Sequence, residues 1–190
     1  MTTIRNTTGT MTAHRAGPRE WAALAVLMLP VLMVSVDNTV LSFALPAISV
    51  DLKPTGTQLL WIVDLYAIML AGLLIAMGAI GDRFGRRRLL LLGTVGFGAA
   101  SLVAAYSNSP EMLLLARALQ GVFGATLMPS TLSLIRNVFH DPRDRRLAIA
   151  SWAAMFSGGA ALGPVLGGWL LGHASWGSVF LINVPIVIVL

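Results

Sequence analysis

The sequence predicts an all-α polytopic membrane protein, and three observations carry that prediction. Its 190 residues are 56 % hydrophobic and only 11 % charged, against about 25 % charged in ordinary soluble domains. The apolar residues come in long runs, and roughly 20 of them at ~1.5 Å each cross a ~30 Å hydrocarbon core. The basic residues collect in every second connection between those runs. Strands of a β-barrel would alternate apolar and polar residues, which these runs do not.

Residues 1–19 are rich in Thr and Arg with no apolar period, and are expected to be a disordered cytoplasmic tail. Pro18 suits the first turn of a helix, where its missing N–H costs nothing. The first helix is expected over about residues 21–47, too long for the apolar core of a cleaved signal peptide. A turn with Pro54 and Gly56 leads into a second helix at about 58–80, and a basic loop leads into a third at about 89–106. Pro110 marks the start of a fourth helix at about 111–135. A polar loop over 136–146 precedes a fifth at about 147–171. A sixth begins near Trp176 and reaches the end of the sequence at Leu190. Such a helix would stop inside the bilayer with backbone groups unpaired, so the residues are expected to be a piece of a larger chain or a truncated reading frame. Residues 20–190 are therefore expected to form a six-helix bundle of two three-helix repeats, a recurrent transporter architecture.

Charge fixes the orientation. The net charge of +5 and pI near 11.1 do not indicate nucleic acid, because the positive residues alternate by loop. Arg5, Arg15 and Arg19 precede the first helix. Arg83, Arg86, Arg87 and Arg88 fill the second connection, and Arg136, Arg143, Arg145 and Arg146 the fourth. The first connection has only Lys53, and the third and fifth have none. Short basic loops stay in the cytoplasm, so the N-terminus is expected inside, in a multi-pass plasma-membrane protein. Cysteine is absent, and His14, His140 and His173 lack ligand spacing, so neither thiol chemistry nor a metal is expected. With no phosphate-binding glycine loop, transport would run on an ion gradient rather than ATP, with no cofactor.

Three charges lie inside apolar runs: Asp37, Asp64 and Arg117. An ionised side chain there costs at least about 2.5–3.5 kcal/mol on insertion scales, which makes each a functional candidate. Counting from the helix ends puts all three at comparable depth in the outer half. If they share a cavity, one arginine faces two carboxylates and one acid lacks a full partner. Such an acid can exchange a proton or attract an organic cation, and the two ligands then compete. Arg117, Gln120, Gly121 and Gly124 share one helix face. Gly159, Gly163 and Gly167 repeat every fourth residue, a groove for close helix packing, and Pro164 introduces a kink.

Four stretches together carry a resemblance. They are Gly78-x-x-x-Asp82-Arg83-x-Gly85-Arg86-Arg87, Arg117-x-x-Gln120-Gly121-x-x-Gly124-Ala125, Gly159-x-x-x-Gly163-Pro164-x-x-Gly167-Gly168, and Asp37-Asn38-Thr39-Val40 followed by Ala44-Leu45-Pro46. On these the chain resembles the amino-terminal half of a major facilitator superfamily transporter, and more narrowly the fourteen-helix drug:proton antiporters. Trp61 to Tyr66 and Phe180 to Pro185 resemble the branch exporting quaternary ammonium compounds and cationic dyes. Trp176-Gly177-Ser178 departs from many antiporters, which carry Arg after the Trp, and favours that branch.

The resemblance implies a proton-coupled exporter of lipophilic cations, not an enzyme, whose partner is a C-terminal half absent from these residues. It implies Asp37 with Arg117 as the proton-linked pair, with Gln120 beside them, and Asp64 as the cation contact. It implies a cytoplasmic latch at Gly78, Asp82, Arg83, Gly85 and Arg86, and a seal between halves at Gly159, Gly163, Pro164, Gly167 and Gly168. Two rivals stand beside it: a transporter of a neutral or anionic metabolite, and a non-transporting remnant or interaction subunit.

Overall fold

The computed structural model describes residues 15–190, so the expected tail over 1–14 lies outside the described residues. The long helices are α1 (Pro18–Asp51), α2 (Gly56–Phe84), α3 (Arg86–Ala105), α4 (Pro110–Val138) and α5 (Pro142–His173), followed by short α6 (Ser178–Leu181) and α7 (Asn183–Val189). Among the described residues, five helices are long and apolar enough to cross a membrane.

The long helices overrun the apolar segments at both ends, except at the end of α3. Arg and other good helix formers keep the backbone helical once it leaves the hydrocarbon. The second connection is thereby reduced from an expected loop at 81–88 to the single residue Gly85. Its φ of 99°, open to glycine alone at little cost, reverses the chain, and its N–H bonds the Gly81 carbonyl at 2.9 Å. The expected loop at 136–146 shrinks to Phe139–Asp141, because Asp141 caps α5 by accepting from Arg143 N at 2.7 Å and Asp144 N at 3.3 Å. Residues 15–19 are also not loose: Pro18 opens α1, and Ala16 N donates to the Asp144 carboxylate at 2.8 Å.

The sixth helix is interrupted at Ile182. Pro185 has no N–H for the Leu181 carbonyl, so the ladder breaks one turn earlier and resumes at Asn183.

Two parallel pairs build the bundle. In the first, Ser35, Thr39 and Phe43 of α1 meet Gly159, Gly163 and Gly167 of α5 in the same order. In the second, Gln58 meets Glu111, Ile62 meets Arg117, Tyr66 meets Gly121 and Gly78 meets Pro129, so α2 follows α4. The first helix of each triplet thus packs on the second helix of the other. One apolar cluster surrounds Val40, Ile62, Leu113 and Phe180; another surrounds Val34, Tyr66, Phe97 and Leu127. Between the two lies a buried polar layer. α2 and α5 bury little of their surface.

Candidate functional site

Asp37 sits in that polar layer, 1 % exposed, mid-way along α1. Its Oδ2 accepts from Arg117 Nη1 at 2.7 Å, and both side chains are almost wholly buried. Its Oδ1 accepts from Gln120 Nε2 at 3.1 Å and from Asn183 Nδ2 at 3.0 Å. Arg117 gives a second Nη1 bond to Gln120 Oε1 at 3.0 Å and an Nε bond to the Ile62 carbonyl at 3.2 Å. Its guanidinium lies 4.3 Å over the Tyr66 ring, a cation–π contact in a dry setting. Ser101 Oγ, from α3, accepts from Gln120 at 2.9 Å and Asn183 at 3.1 Å, and donates to the Phe97 carbonyl at 2.9 Å. A buried charge is tolerable only when paired and hydrogen-bonded, and this one meets both conditions.

Asp37, Arg117 and Gln120 are therefore brought together; Asp64 is not. Ile62 and Tyr66 of α2 point into the bundle beneath Arg117. Asp64 is two residues from each, and two residues on a helix turn through about 200°, to the opposite side. It stands at the level of Arg117 but on the open face of α2, in line with exposed Trp61 and Ile68. It is half-buried and has no hydrogen-bond or ion-pair partner among the described residues. One guanidinium does not serve both acids. Asn38, next to Asp37, is exposed on α1.

The glycine stripes resolve into helix contacts. Gly121 lies against Met69 Cβ and the Tyr66 carbonyl, where an added Cβ would come within 2.6 and 2.7 Å. Gly159 meets Ser35, Gly163 meets the Thr39 hydroxyl, and Gly167 meets Val40 and Phe43, so these three close α5 onto α1 inside the bundle. Ser35 Oγ also donates to the Phe156 carbonyl. Gly168 faces open space, and Pro164 is half-buried. Gly177 presses on the Ala105 carbonyl, which leaves no room for an arginine side chain there.

At the arginine-rich end, Arg86 binds Asp82 through Nη2 at 2.6 Å and Nε at 2.9 Å. Its side chain lies across Gly81, whose added Cβ would come within 2.9 Å of Arg86 Cδ, and reaches towards Gly78. Arg83 is exposed and lies 5.6 Å over the Phe84 ring. Gly81 is thus the tightest glycine of the loop, though the motif spacing singles out Gly78 and Gly85. Ser101 and Asn183 are the members of the buried layer that sequence reasoning missed; serine and asparagine in an apolar run were the available signal. Trp176 is buried and donates to Asp51 at 2.7 Å, tying two turns together. Among the described residues no cluster of His, Asp and Glu could hold a metal.

Parallel helix pairs closed around a buried ion-pair layer define a multi-pass α-helical membrane protein of transporter architecture. Within that class the chain belongs to the major facilitator superfamily, which residues 27–190 match. The multidrug efflux pump LfrA of Mycolicibacterium smegmatis is 60 % identical over 180 residues, covering 95 % of this chain and 36 % of that protein. The methyl viologen resistance protein SmvA of Salmonella typhimurium is 48 % identical over 171 residues, 90 % of this chain and 34 % of that protein. The chain spans about a third of the length of these relatives. In fold it is similar to a bacterial homologue of the human lysosomal transporter Spinster, solved inward-facing and unoccupied. That likeness has a TM-score of 0.69 at 19 % identity, over 92 % of this chain and 43 % of that one.

Proposed function

We propose that this chain is the first bundle of a cell-membrane exporter that exchanges lipophilic cations for protons, with its arginine-rich end in the cytoplasm. The observation that carries the reading is the unequal state of two acids at one level: among the described residues Asp37 meets three donors, and Asp64 meets none. An ionised acid facing lipid would be costly, so Asp64 is best explained by a cavity shared with the rest of the protein. A carboxylate beside an exposed Trp61 suits a flat organic cation, which takes charge from one and a π face from the other. The name of SmvA points the same way, since methyl viologen is an organic dication.

Coupling follows from Arg117. While Asp37 is ionised it neutralises the guanidinium. A proton on Asp37 unmasks that positive charge one helix width from Asp64, and repulsion then favours cation release. Arg117's bond to the Ile62 carbonyl, two residues from Asp64, gives this effect a short path. The latch role of Gly78, Asp82, Arg83, Gly85 and Arg86 and the seal role of Gly159, Gly163, Pro164, Gly167 and Gly168 complete the proposal. The exposed ends of both motifs, Asp82 and Gly168, lie on surface that a second bundle could meet.

The test is ethidium efflux by the complete gene product in cells lacking other pumps. Asp64→Asn and Asp37→Asn are each expected to abolish gradient-driven efflux. Undiminished, proton-gradient-dependent efflux in both would overturn the proposal.

A further inference from the structure

Asn183 belongs to the buried layer, beside Asp37 and Ser101. It is the first residue of α7, immediately after the interruption that Pro185 imposes. It is 1 % exposed, and its Nδ2 bridges Asp37 Oδ1 and Ser101 Oγ while its Oδ1 has no partner among the described residues. A buried amide with an idle acceptor is less stable than an apolar side chain that fills the same space. Its neighbours Val179 and Phe180 on α6 and Ile186 on α7 are such side chains. Of the two amides on Asp37, Gln120 is fixed at both ends, because Arg117 holds its oxygen. Asn183 is fixed at one end only.

The charged and titratable groups facing Asp37 are Arg117 from α4 and Tyr66 from α2. α3 and α7 present the neutral Ser101 and Asn183, and α5 carries its charges only near its ends.

We infer that Asn183 is a positioning residue for Asp37, holding Oδ1 while Arg117 holds Oδ2, so that the interrupted α6–α7 segment is tethered through the carboxylate. A proton arriving on Oδ1 takes one of the two lone pairs that Asn183 and Gln120 occupy, so one of the two amides must give way. Gln120 stays anchored by Arg117, so Asn183 is the partner that lets go, and the start of α7 is then held at this layer by Ser101 alone. Protonation of α1 is thereby communicated to the end of the bundle's last helix. The inference rests on the proton-linked role proposed for Asp37.

The test is the pH dependence of ethidium efflux by the complete protein in inverted vesicles, each variant normalised to its own maximal rate. Asn183→Ala removes a hydrogen bond made to the charged form of Asp37. The half-maximal point is expected to move about one pH unit towards higher pH, a tenfold change in apparent proton affinity. Ser101→Ala, which loosens the same amide, is expected to move it the same way by less. If Asn183→Ala does not fold, Asn183→Ser keeps a donor in a smaller side chain and is expected to shift the profile partway. An unshifted profile in the folded Asn183 variant, with efflux still abolished by Asp37→Asn, overturns the inference and leaves the exchange reading standing. A change in rate alone overturns it equally, since that is what lost packing would do. Gradient-driven efflux surviving Asp37→Asn overturns the exchange reading and this inference together.

Discussion

Asp37 and Asp64 stand at one depth, and their surroundings are opposite. Asp37 is 1 % exposed and fully partnered by a guanidinium and two amides. Asp64 is half-buried on the open face of α2, with nothing paired to it among the described residues. The glycines of α5 repeat the contrast, with Gly163 pressed against Thr39 and Gly168, five residues on, facing nothing. The lesson is that one motif serves two masters: its inward members fix the bundle, and its outward members are left for something outside it.

The contrast predicts different costs, beginning with the largest. Arg117→Ala strands a buried carboxylate and is expected to lower stability by about 3–5 kcal/mol, read as thermal unfolding in detergent. Asp64→Ala strands nothing and is expected to change it by no more than about 0.5 kcal/mol. Equal shifts would erase the distinction. Next comes Gly163→Ala, whose Cβ would enter the Thr39 hydroxyl and force α1 and α5 apart, at about 1–3 kcal/mol in the same assay. Gly168→Ala has open space and is expected to be neutral. Smallest is Asp82→Asn. The Asp82–Arg86 pair is exposed on its acidic side, at 70 %, so its loss is expected to cost under about 1 kcal/mol. A fall in efflux rate without a fall in unfolding temperature would separate the latch role from a structural one.

The helices, their order and the alternation of basic turns were legible in the sequence because length, apolarity and arginine placement are local properties. So was the level of Asp37, Asp64 and Arg117, since depth is a count along a helix. Azimuth was not. Whether Asp64 faces Arg117 depends on how α2 is rotated against α4, which Ile62, Tyr66 and Gly121 decide together. The partners Ser101 and Asn183 were hidden for a similar reason. They come from α3 and α7, and only tertiary packing brings them to Asp37. The helix ends extend further than the apolar runs because caps such as Asp141, rather than hydropathy, set them.

The central claim is that the open acid, and not the saturated one, receives the cation. Its most direct test is fluorescence titration of the purified complete protein with ethidium at a fixed alkaline pH, comparing the natural sequence with Asp64→Asn. Loss of a charge-assisted contact is expected to weaken binding by at least about tenfold. Unchanged affinity in Asp64→Asn would contradict the claim.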